Sequence, residues 1–146
     1  MSILSKFVEF FVSRWKMYKW MKANTLSSNG KLLEAIDIYQ SLDLRDGLKQ
    51  IALVQTADIY YLLGQNGKAK QLYKEAQISE RQWGMRSKTE NSQYIIEYCN
   101  YFLAMVEVDT VDEKLKTRAL KQLVILSNIP VSRDIKVYYL PLPVAK

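Results

Sequence analysis

Apolar residues recur every three or four positions along most of the chain, which is the spacing of one face of an α-helix. Turn residues interrupt the pattern at Ser28-Asn29-Gly30 and at Gly64-Gln65-Asn66-Gly67, where glycine and asparagine favour a reversal of the chain. Apolar periodic segments on both sides of each turn predict two helices that pair as a hairpin. The pattern places the first two hairpins at about residues 2–42 and 47–80.

Two helix-start signals predict a third hairpin, at about residues 88–127. Ser87-Lys88-Thr89-Glu90 and Thr110-Val111-Asp112-Glu113 both fit the capping box, in which a hydroxyl and a carboxylate satisfy each other's free backbone donors. Each signal precedes an apolar periodic segment. The chain is therefore expected to hold about six helices.

Proline marks the end of the helical pattern. Pro130 follows the last periodic segment, and Pro141 and Pro143 keep residues 131–146 extended or irregular. We expect one helical domain over residues 1–130, followed by this tail. Three roles are open for the tail: a lid on the last apolar face, a contact in a homodimer, or a pseudo-ligand that masks the binding groove.

Part of the chain repeats itself at an offset of 34 residues. The first set of matching positions is Gly30, Ala35, Tyr39 and Leu42, and the second is Gly64, Ala69, Tyr73 and Ala76. Thirty-four residues is the length of the tetratricopeptide repeat, a unit of two antiparallel helices. Residues 50–83 resemble that family most clearly, through Leu53, Ala57, Tyr60, Gly64, Ala69, Tyr73 and Ala76. Residues 16–49 and 84–130 resemble it in part.

The resemblance implies an all-α, right-handed solenoid of helical hairpins that binds a protein or peptide partner without catalysis. In this family the first helix of each hairpin lines a concave groove, and short aromatic and polar side chains there hold the partner. The resemblance nominates seven partner-binding residues: Met17, Trp20, Asn24, Ile51, Val54, Asp58 and Tyr61.

The composition offers little for catalysis or for metal binding. The chain has no histidine and a single cysteine, Cys99, so the commonest general base and the usual zinc ligands are missing. Neither phosphate-binding glycine pattern, GxxxxGK[ST] or GxGxxG, occurs. We therefore expect no enzyme activity, no cofactor and no metal. Cys99 lies in an apolar run and is expected to be a buried thiol in a reducing, cytoplasmic protein.

The net charge of +6 is concentrated at the two ends of the chain. Residues 1–22 carry five basic and one acidic side chain, and residues 110–146 carry seven and three, whereas residues 23–109 carry nine and eleven. No basic stripe with interleaved aromatic residues crosses the middle. Nucleic acid is therefore a disfavoured partner.

The segment from Phe7 to Lys22 has two interpretations. Its aromatic residues and basic fringe suit a helix lying on an anionic membrane, but they also suit the first helix of the array with its aromatic side chains buried. We expect the second, because Arg14 interrupts the apolar arc and the next helix needs a packing surface. Charged residues break the segment too often for a membrane span or a secretory signal.

Three roles follow from these observations. The leading one is a protein-binding scaffold. The second is an immunity or antitoxin-type protein that neutralises a cognate toxin by direct binding, and the third is a peripheral membrane adaptor attached through the N-terminal helix.

Overall fold

The computed structural model describes residues 2–44, 46–84 and 90–106, together with the single positions 117, 121, 124 and 125. Over these residues the regular structure is helical throughout, which confirms the predicted all-α class. The helices are α1 (Ile3–Ser28), α2 (Leu32–Ser41), α3 (Asp46–Leu62), α4 (Asn66–Gly84) and α5 (Glu90–Val106). The chain divides into two compact units, Met1–Arg45 and Asp46–Lys146, called here the first and second units.

The first unit is the helical hairpin of α1 and α2. The Ser2 hydroxyl caps α1 by accepting from the backbone N–H of Ser5 (3.2 Å). With ten residues, α2 is about 15 Å long, whereas the 26 residues of α1 extend about 39 Å. Partnership with α2 therefore covers less than half of α1.

The second unit contains α3, α4 and α5, with α4 packed against both other helices. Between residues 50 and 60, α3 is buried around nearly its whole circumference. An aromatic cluster joins the helices, in which the Phe102 ring on α5 lies 5.5 Å from Tyr73, 4.7 Å from Tyr98 and 5.0 Å from Tyr101 between centroids. This cluster forms the centre of the unit's core.

The turn between paired helices has the same geometry in both units. Gly30 and Gly64 have φ of 78° and 74°, a left-handed conformation that glycine adopts without steric cost. The N–H of Lys31 donates to the Leu26 carbonyl and that of Gln65 to the Tyr60 carbonyl, both at 2.9 Å. With the bonds donated by the N–H groups of the two glycines (3.1 Å each), these complete a Schellman motif at each helix end.

The small side chains also recur at this offset. Ala23 and Ala57 on the first helices, and Ala35 and Ala69 on the second helices, are all fully buried. A buried alanine lets two helix backbones approach closely. The 34-residue repetition in the sequence is therefore a repetition of local structure.

One helix is longer than expected. The pattern predicts that α4 ends near Ser79, but it continues to Gly84. Glu80 is fully buried one turn beyond Tyr73 and Ala76, so the inward face of the helix carries a carboxylate where the pattern called for an apolar residue. A polar residue at that position concealed the last turn.

Several predictions fall outside the described residues. These are both capping boxes, most of the second helix of the third hairpin, the helix-ending Pro130 and the tail over 131–146. Of the third hairpin, the described part is α5.

Candidate interaction surfaces

The three predicted binding residues of the first unit differ in exposure. Met17 is 39% exposed, whereas Trp20 is 4% exposed and Asn24 is half-buried. The Asn24 side-chain oxygen accepts a hydrogen bond from the hydroxyl of Tyr39 on α2. Trp20 is therefore a core residue in this conformation, while Met17 and Asn24 reach solvent.

The four predicted residues of the second unit are mostly enclosed. Ile51, Val54 and Asp58 are buried, and Tyr61 is half-buried with its ring 5.5 Å from that of Phe102, edge to face. The burial of α3 on every side places the first three out of a partner's reach in this conformation. Their binding role stays a prediction, and Tyr61 is the member of this group that solvent can reach.

Asp58 forms a buried clasp between helices of the second unit. Its Oδ1 accepts a hydrogen bond from the hydroxyl of Tyr73 on α4, and its Oδ2 accepts one from the hydroxyl of Tyr98 on α5 (3.0 Å). A single carboxylate thus bridges α3 to both other helices. Hydrogen bonds to a charged acceptor are stronger than neutral ones, and a buried carboxylate needs them.

Burial and this carboxylate hold the surrounding acidic hydrogens in place. Burial first, and Asp58 second, raises the pKa of the Tyr73 and Tyr94 hydroxyls above the ordinary tyrosine value. The same two causes, followed by Glu80, raise the pKa of the fully buried Cys99 thiol. These groups remain protonated near neutral pH, so the cluster supplies donors to Asp58 and no nucleophile. The expected burial of Cys99 is confirmed.

The clasp has a counterpart in the first unit. Asn24 and Asp58 are 34 residues apart, as are their donors Tyr39 and Tyr73. An amide oxygen serves in one hairpin and a carboxylate oxygen in the other. Sequence analysis used the tyrosine pair but not the Asn24–Asp58 pair, although the same offset would have found it.

The amino-terminal half of α1 departs most from expectation. Its large apolar side chains were expected to be buried in the array, and that expectation is wrong. Phe7, Phe11 and Trp15 are 56%, 63% and 57% exposed, and further exposed apolar residues surround them: Ile3, Leu4, Val8, Phe10, Val12, Tyr18 and Met21. We call residues 3–18 of α1 the exposed α1 segment.

Helix geometry explains this exposure. At about 100° per residue, Phe11 and Trp20 project about 180° apart around α1. Trp20, Ala23 and Asn24 mark the side of the helix that is buried or bonded to α2. The apolar face of the exposed α1 segment therefore points away from the core of its own unit.

A polar stripe completes the segment on the side where Trp20 lies. Ser5, Lys6, Glu9 and Ser13 fall within about 100° of arc on this side. Farther along, the Lys16 ammonium donates to the Asp43 carbonyl (2.7 Å) and lies 3.9 Å from the carboxylate of that residue. The segment is thus amphipathic, with a wide apolar face and a narrow polar one.

The structure shows no further candidate chemistry in the residues it describes. Among them, no group of three or more Cys, Asp or Glu side chains is arranged to hold a metal ion. In the same part of the chain, each helix is too short or too polar to cross a bilayer. Comparison of the chain with protein-family models, with curated proteins and with solved structures finds no match.

Proposed function

We propose that this chain is a non-catalytic scaffold of tetratricopeptide-like hairpins that binds a protein or peptide partner in the cytoplasm. The recurrence at 34 residues supports the proposal most strongly. The turn, the buried alanines and the tyrosine clasp repeat together, and a hairpin of this length is the unit of such arrays. Arrays of this kind work as binding surfaces.

The predicted binding positions that solvent reaches narrow the choice of contact residues. Met17 offers a flexible apolar side chain, Asn24 a hydrogen-bonding amide, and Tyr61 a half-exposed ring. Such a mixture suits a peptide backbone with apolar side chains, since rings anchor a partner and amides orient it. Trp20, Ile51, Val54 and Asp58 would act by supporting these residues from within.

The test is retention of a partner by the immobilised protein from extract of its native cell, identified and quantified by mass spectrometry. The variant Met17→Ala with Tyr61→Ala removes one predicted contact from each unit. The matched control is Leu33→Ala with Leu62→Ala, which removes exposed apolar side chains (66% and 56% exposed) that are not among the predicted positions. We expect the first variant to lose at least about tenfold in partner retained, as for loss of an interface hot spot, and the control to match wild type.

Each other result has a definite meaning. Equal losses in both variants would show that the predicted positions are not the contact. If the wild-type protein retains no specific partner, the scaffold proposal fails. A single folded partner held tightly and in equal amount would favour the toxin-neutralising role, because such complexes bury a large, specific surface.

A further inference from the structure

The exposed α1 segment is an interaction surface that the hairpin scaffold does not use. Its apolar face covers about half of the helix circumference, from Phe10 through Phe7 and Phe11 to Val8 and Val12. Proteins rarely leave a contiguous apolar surface of this extent in water. A short helix also gains little stability from its own backbone, so this segment is expected to have an external partner.

The charge of the segment excludes a second copy of this chain. Residues 1–22 carry Lys6, Arg14, Lys16, Lys19 and Lys22 against the single acid Glu9, for a net charge of +4. Two such faces would repel each other on contact. The apolar face is also far wider than the narrow seam of a coiled coil. A partner of negative charge fits better.

The position of Arg14 indicates which negative partner. Arg14 lies within the apolar arc, and its guanidinium sits over the Phe10 ring, 5.2 Å from the centroid. The Lys19 ammonium likewise lies 5.5 Å from the centre of the Trp15 ring. In an apolar protein groove Arg14 would be buried without a counter-ion, which is costly. At a bilayer surface a long basic side chain reaches the lipid phosphates while its stem stays among apolar groups.

We propose that the exposed α1 segment binds the surface of an anionic lipid bilayer, with the helix axis in the membrane plane. Phe7, Phe11 and Trp15 enter the boundary between headgroups and acyl chains, the region that aromatic side chains favour. The stripe of Ser5, Glu9 and Ser13 faces water. Arg14 and the neighbouring lysines contact lipid phosphates. This surface is separate from the predicted partner-binding residues.

A matched pair of substitutions tests the proposal. Phe11→Glu and Ser13→Glu add the same charge to exposed positions two residues apart, but on sides of the helix about 160° apart. Binding is measured by flotation with vesicles of phosphatidylcholine plus phosphatidylserine, and with vesicles of phosphatidylcholine alone. We expect the wild type to bind the anionic vesicles and to be released by high salt. Phe11→Glu should weaken binding at least about tenfold more than Ser13→Glu does, since it alone removes an inserted ring.

Depth of insertion gives a second, independent measurement. Brominated lipids should quench the tryptophan fluorescence of the wild type, and Trp15→Phe should remove most of the quenching while leaving flotation nearly unchanged. Equal weakening by the two glutamate variants would show attraction by charge without insertion and would overturn the proposal. Failure to float with anionic vesicles would overturn it too, and self-association that Phe11→Glu abolishes would assign the face to a second copy. None of these results bears on retention of a protein partner.

Discussion

Asp58 joins three helices through two tyrosine hydroxyls, and no other described residue of the second unit bridges so many elements by printed side-chain bonds. Its counterpart Asn24 accepts a bond from Tyr39 alone among α2 hydroxyls. The two clasps share a geometry but differ in charge and burial. They should therefore differ in what they contribute to stability.

Removal of each donor hydroxyl measures that difference. Tyr73→Phe leaves a buried carboxylate with one strong bond fewer, so we expect a loss of about 1–3 kcal/mol in the free energy of unfolding. Tyr39→Phe removes a bond to a neutral, half-buried amide, and the expected loss is about 0.5–1.5 kcal/mol. Urea denaturation followed by circular dichroism measures both. A larger loss for Tyr39→Phe than for Tyr73→Phe would contradict the assignment of Asp58 as the stronger clasp.

Single residues show where sequence reasoning succeeded and where it stopped. The burial of Cys99 was predicted correctly, because a lone thiol in an apolar run has few alternatives. Trp20 and Asp58 were assigned to a surface, yet they are 4% exposed. Periodicity places a residue on a helix face, but it does not show how many neighbours cover that face. That information is tertiary.

At the scale of helices and turns, the two left-handed glycines define where each hairpin reverses. A Cβ added at Gly30 or Gly64 would meet no atom within 4 Å. Substitution there should thus be unfavourable through backbone strain alone. Gly67 lies in the first turn of α4 with equally open surroundings, and provides a control without a left-handed φ.

We expect Gly30→Ala and Gly64→Ala each to lower the free energy of unfolding by about 1–2 kcal/mol, the cost of a left-handed alanine. Gly67→Ala should leave it unchanged or raise it by up to about 1 kcal/mol, since alanine is the better helix former. Thermal or urea denaturation distinguishes the three variants. If Gly67→Ala were as harmful as the other two, the strain argument would fail and the loss would have to come from packing.

The elements themselves were largely predictable, and their environments were not. The turns at 28–30 and 64–67 follow from glycine and asparagine, and α1, α2 and α3 begin and end close to their predicted bounds. The prediction failed for the exposed α1 segment, because an apolar stripe indicates that something covers it but not which element does so. Comparing the angular position of Phe11 with that of Trp20 would have separated the two faces of α1 from sequence alone.

At the scale of the whole molecule, the proposals describe an adaptor. The hairpins would hold a protein partner, and the exposed α1 segment would hold an anionic bilayer. The two functions use different residues, with Met17 and Tyr61 in one set and Phe11 in the other. Substitution should therefore separate them.

The most direct measurement is flotation of native cell extract with anionic vesicles, with and without the added protein, followed by quantification of every protein that floats. We predict that a specific partner floats only when the wild-type protein is present. Met17→Ala with Tyr61→Ala should lose the partner while the protein itself still floats, and Phe11→Glu should lose both from the vesicles. A partner that floats equally without the added protein, or loss of protein and partner together in the first variant, would contradict the account.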